Sequence, residues 1–142
     1  MSRTLLRALA ALASIALAAG CSGRHSPSGF RLPPGDVAAG EKAFVELQCN
    51  TCHTVPGSEM PAPTVPTPVA LGGRVVLPPT DGDLTTDIIL PSSHFARGYP
   101  AAQVQEGAKS KMPDYTDRVT IRQLADLVAF LQGKYTVAVA TK

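Results

Sequence analysis

The chain has 142 residues, with 13 Lys and Arg against 11 Asp and Glu, a length that allows one domain and little more. A net charge of +2 without any run of like charges gives no footing for nucleic-acid binding, and neither a Gly-rich phosphate loop nor a zincin motif occurs. Aromatic residues make up only 5%, four Phe, three Tyr and no Trp, which is thin material for a core, and three cysteines cannot all pair within one molecule.

Arg3 and Arg7 precede a run from Ala8 to Ala19 that is apolar apart from Ser14 and leads into Ala18-Ala19-Gly20-Cys21. A basic start, an apolar stretch of about 7–15 residues and a small-residue exit predict a secretory signal peptide over residues 1–20. The run is shorter than the ~20 apolar residues of a membrane span. Its ending, with Leu17 just before, resembles a bacterial lipobox, which implies a diacylglycerol on the Cys21 thiol and cleavage immediately before it. The alternative is cleavage upstream, or retention of the segment as an anchor, with Cys21 an ordinary thiol. Either places the remainder on the periplasmic side of a bacterial membrane. Loss of residues 1–20 removes Arg3 and Arg7 and leaves a neutral mature chain, 11 basic against 11 acidic residues.

Residues 21–35 are rich in Ser, Gly and Pro and read as a flexible leash, with His25 a solvated linker residue. Asp36 then offers an N-cap to an amphipathic helix from Val37 to about Gln48, on which Val37, Gly40, Phe44 and Leu47 share a face. Gly40 in a helix interior costs ~1 kcal/mol relative to Ala and marks a place where another backbone comes close. Seven prolines between Val55 and Thr80 exclude helix over most of that stretch and make a central strand improbable. Val65, Val69, Leu71, Val75 and Val76 argue that this loop packs on something. Asp83 can cap a short helix from Leu84 to about Leu90, stopped by Pro91. A turn of helix near Ala101 to Glu106 interrupts an otherwise loop-like segment from Ser92 to Asp117. Thr120 and Gln123 form a capping-box pair that opens a helix from Ile121 to Gln132, with Ile121, Leu124, Leu127, Val128 and Leu131 as its apolar stripe and Gly133 as its stop. The pattern is all-α, three to four helices with long loops, no internal repeat, no convincing strand pair and a frayed end at 136–142.

Cys49-Asn50-Thr51-Cys52-His53 is a C-x-x-C-H sequence and reads as a c-type haem attachment site. Residues three apart share a face of a helical turn, so both thiols can reach the two vinyl groups on one porphyrin edge, and His53 follows with an imidazole for the iron. A redox dithiol would expect a thioredoxin-like βαβ context, and half a zinc site would expect a second ligand pair; both are missing. A simple disulfide would leave the thin aromatic core unexplained. For a second axial ligand, Met112 in Ser110-Lys111-Met112-Pro113 leads, because a neutral thioether suits low-spin iron and Met fills no evident core in a polar loop. His94, Met60 and an empty sixth position are the alternatives.

From Asp36 to Tyr135 the chain resembles class I c-type cytochromes of the mono-haem type: a helix with Gly40 and Phe44 running into C-x-x-C-H, a Met-Pro loop, and a last helix ending Leu127-Val128-Ala129-Phe130-Leu131. The resemblance implies a domain over 36–135 wrapped around one covalently bound haem c, with Cys49 and Cys52 as attachment points, His53 and Met112 as axial ligands, and Phe44 beside Phe130 where the first and last helices cross at Gly40. It also implies a proline carbonyl, Pro66 or Pro68, accepting the proximal imidazole N–H; Tyr115 either lines the haem pocket or is an exposed loop residue. The function implied is one-electron transfer rather than enzymatic turnover, with no small-molecule substrate. Redox protein partners at the membrane would dock on an exposed haem edge, where Arg97, Lys109, Lys111 and Arg118 form either a rim for an acidic partner or, as the readier reading, a solvated face. The rival reading is the subunit through which electrons enter a larger oxidoreductase, or a haem enzyme or sensor with an open or displaceable sixth ligand.

Overall fold

The structure is a computed structural model and describes residues 31–138. The signal-like segment, Cys21, most of the leash and residues 139–142 lie outside the described residues. In chain order the elements are α1 (Val37–Glu46), a 3-10 turn (Cys49–Thr51), β1 (His53–Thr54), β2 (Val69–Ala70), β3 (Gly73–Val75), α2 (Asp81–Ile89), α3 (Ala101–Val104), β4 (Gln105–Glu106), β5 (Lys109–Ser110), α4 (Ile121–Gln132) and β6 (Tyr135–Val137). The all-α expectation holds, with four helices and long loops among the described residues.

Helix α1 starts where the Asp36 carboxylate accepts the Ala39 N–H at 2.8 Å. It ends at Glu46, two residues earlier than the periodicity predicts, because Gln48 turns left-handed (φ 60°) to launch the 3-10 turn. Helix α2 also corrects the sequence reading. Thr80, not Asp83, is its N-cap, and Asp83 sits three residues in, its carboxylate accepting the Thr80 N–H at 2.8 Å while Thr80 Oγ1 accepts the Asp83 N–H at 3.1 Å. These bonds hold the Asp83 carboxyl below the usual carboxylate range. Helix α4 has the predicted bounds, capping box and Gly133 stop. Of its expected stripe, Leu124, Leu127, Val128 and Leu131 are buried, whereas Ile121, in the first turn, is exposed.

Helices α1 and α4 cross at van der Waals contact. Phe44 and Phe130, both essentially inaccessible at 1% and 0%, meet with ring centroids 5.8 Å apart and planes tilted 57°. A Cβ on Gly40 would lie 2.0 Å from the Asp126 carbonyl oxygen, so this glycine lets the two backbones touch. Gly35, just before the N-cap, repeats the arrangement: a Cβ there would lie 2.1 Å from the Ala125 carbonyl oxygen, a role the sequence reading missed. The crossing is fixed by polar groups too: buried Asp126 accepts the Asp36 N–H at 2.8 Å, and Arg122 donates to the Pro34 carbonyl at 2.9 Å.

Three short strand pairs correct the expectation of none. β1 runs parallel to β2, β3 parallel to β6, and β4 antiparallel to β5. The chain is therefore not frayed at Tyr135–Val137, which pairs with Gly73–Val75. Pairs of two or three residues carry too little alternation to be read from a sequence. The Pro-rich loop packs only in part: Val65, Val69 and Leu71 face the interior, but Val76 is 85% exposed.

Candidate functional site

The 3-10 turn after α1 places the chemistry. With 3.0 residues per turn, positions three apart eclipse, so Cys49 and Cys52 project to one side, the Cys52 N–H closing the turn on the Cys49 carbonyl at 3.2 Å. Both cysteines are free and line a cavity of about 910 Å³. That volume stands near the top of the ~300–1,000 Å³ range of small-molecule and cofactor sites. Val65, Leu71, Leu84, Ile88, Leu127 and Leu131 supply much of its apolar wall.

His53 follows on β1 and lines the same cavity. Its Nδ1 lies 3.2 Å from the Val69 carbonyl oxygen, which can only accept, so Nδ1 carries the proton and the Nε2 lone pair is left available. Burial holds the imidazole below its ordinary pKa, opposed by the Val69 bond. Neutral imidazole is the form that ligates a metal. The acceptor is neither Pro66 nor Pro68: the parallel register His53↔Val69 brings the carbonyl after Pro68 to the ring. Val69 was missed because a backbone acceptor leaves no trace in side-chain identity. The same loop is held by Tyr99 Oη, which accepts the Ala70 N–H at 2.9 Å, and by Gln103, which donates to the Thr67 carbonyl at 2.7 Å.

Among the candidates for a second ligand, Met112 and His94 line the cavity and Met60 does not, packing instead against the core. Met112 is half-buried, its N–H bonded to Ser110 Oγ at 3.1 Å. His94 is exposed, and its Nδ1 lies 3.1 Å from Asp87 Oδ1. Tyr115 is a wall residue only 4% exposed, its hydroxyl donating to the Leu47 carbonyl at 3.0 Å. Burial pushes its pKa up to about 12 and that of the Cys49 thiol up to about 11. Of the basic rim candidates, all four are exposed, Lys111 donates to the Ala102 carbonyl, and the Arg118 guanidinium lies 5.4 Å from the centre of the Tyr115 ring.

Among the described residues no group of three or more His, Cys, Asp and Glu side chains converges as an ion site. The cysteine pair and His53 thus form an edge of a large apolar cleft rather than a tetrahedral nest. A family model described as Cytochrome c matches residues 37–134, more than half of the chain. The chain belongs to the cytochrome c family. No curated protein and no solved structure matches it. Membership establishes a class I c-type cytochrome with haem-based electron transfer and covalently bound haem c. The cleft fits that group on its own chemistry: eclipsed thiols on one edge, an imidazole with its outer nitrogen fixed and its inner one available, a thioether on the wall, and apolar residues elsewhere.

Proposed function

We propose that this chain is a one-electron carrier tethered at the periplasmic face of a bacterial membrane, holding one haem c through Cys49 and Cys52 with His53 and Met112 as axial ligands. The observation that carries the reading is the convergence of those four side chains on a single apolar cavity. When bound, the haem iron supplies a couple between Fe(III) and Fe(II). The polypeptide orients it and keeps it dry. Val69 fixes the His53 ring and strengthens it as a donor, Met112 supplies the neutral ligand that raises the potential, and the leucine wall excludes water. With His53 and Met112 both holding the iron, no open position would be left for a substrate, which favours a carrier over an enzyme.

The decisive measurement is the ferric spectrum. The parent protein is expected to show a thioether-to-iron charge-transfer band at the red end, and Met112→Ala is expected to abolish it and lower the reduction potential. A high-spin ferric spectrum in the parent rejects His/Met ligation.

The tether rests on the run before Cys21 and its lipobox-like ending. A leash of about 15 residues confines the domain near the bilayer and raises its effective concentration toward membrane-bound redox partners. Mass spectrometry of the mature N-terminus is expected to find Cys21 first in the chain and carrying diacylglycerol. An unmodified thiol, or cleavage elsewhere, rejects the anchor.

A further inference from the structure

Two separate stretches bear the proposed iron ligands, Cys49–His53 and the segment around Met112. The second is pinned outward at several points. Ser110 N–H bonds Ser92 Oγ at 3.0 Å, Thr116 Oγ1 donates to the Ile89 carbonyl at 3.1 Å, and the Arg118 and Val119 N–H groups close a turn on the Tyr115 carbonyl at 2.9 and 3.0 Å. None of these bonds touches the stretch that carries the cysteines. Tyr115 joins the two: its Oη donates to the Leu47 carbonyl at 3.0 Å, across 68 positions of sequence, and the same side chain is a hydrogen-bond partner of the Cys49 thiol.

Both ends of that bond are placed to matter. Leu47 is the C-cap of α1, so its carbonyl is one of those a helix end leaves without an intrahelical partner, and two residues later comes Cys49. Tyr115 is three residues beyond Met112, with Pro113 restricting the backbone between them. The ring is buried, and Arg118 covers a face of it.

We propose that Tyr115 is a positioning residue for the sixth ligand: its hydroxyl clamps the Met112 segment to the turn that carries Cys49, Cys52 and His53. The inference rests on Met112 being that ligand. Displacing the thioether requires the segment to swing out, which the Tyr115 bond opposes. A ligand shifts such an equilibrium only by its differential interaction with the two positions, so removing the hydroxyl favours the displaced state.

The test uses the full-length holoprotein as parent, Tyr115→Phe and Met112→Ala, with imidazole as the competing ligand. The readouts are the red charge-transfer band, the imidazole dissociation constant of the ferric form, the reduction potential and the melting temperature. For Tyr115→Phe we expect imidazole to bind about tenfold more tightly than to the parent and the band to be lost at correspondingly lower imidazole, at unchanged haem content. An unchanged imidazole affinity and potential, even with a lower melting temperature, overturns the proposal and leaves a merely structural tyrosine. A parent without the band overturns the His/Met reading and this one with it, so the two failures are distinguishable. Should Tyr115→Phe give no holoprotein, hydrogen exchange in the parent decides. Loss of protection at the Arg118 and Val119 amides when imidazole displaces Met112 supports the clamp, and retained protection overturns it.

Discussion

Replacing Cys49 and Cys52 together by alanine and purifying the chain free of haem is expected to give a protein without a cooperative thermal transition. The folded domain surrounds about 910 Å³ of apolar cleft. Kept dry, a space of that size would leave its lining side chains without contacts, at a cost that rises with its volume and weighs against the ~5–15 kcal/mol that keeps a domain folded. The alternative, flooding the cleft, hands the faces of Leu84, Leu127 and Leu131 back to water. Little core remains to offset this, because the buried cluster rests on Phe44, Phe130 and a few aliphatic side chains. Circular dichroism and calorimetry of the haem-free variant are the check, and a native-like cooperative melt sinks the idea that the prosthetic group is the hydrophobic centre.

Gly40→Ala is expected to be the most damaging single-residue change outside the cleft. The new Cβ would stand 2.0 Å from the Asp126 oxygen, 2.5 Å from its carbonyl carbon and 2.7 Å from the Phe130 Cβ. Backbone atoms cannot swing aside as a flexible side chain does, so α1 must retreat from α4, opening the Phe44–Phe130 contact and pulling Asp36 from the Asp126 carboxylate. Overpacking of this kind costs about 3 kcal/mol or more, against which the ~1 kcal/mol gain in helix propensity is small. A melting temperature lowered by about 10 °C or more in the holoprotein is the expected result. A shift within ~2 °C would mean that the helices slide past each other freely.

What could be read from the residues was whatever has a side-chain signature. Thr120 and Gln123 announce α4, Gly40 announces a close crossing, and C-x-x-C-H announces the edge of the cleft. Where the information lies in the backbone, the reading missed. The acceptor for His53 is a carbonyl chosen by strand register, which the resemblance assigned to Pro66 or Pro68 and the fold assigns to Val69. The β3–β6 pairing joins residues 62 apart through segments too short to alternate. Thr80 lost to Asp83 as a cap because both residue types suit the N-cap, and only the structure distinguishes the cap from the residue that reaches back to it. Tyr115 was readable as wall or surface, and its bond to Leu47 depends on a fold that local pattern does not contain.

The burial of Cys49 has a consequence in time. In a fold closed without haem, burial would push the pKa of its thiol up to about 11 and keep it protonated at neutral pH, so thioether formation is favoured before the fold closes. The wall that hides it is completed by α4, whose Leu131 lies 79 residues beyond Cys52. The order of elements along the chain thus holds a window open for attachment chemistry, and the arrival of the last helix closes it.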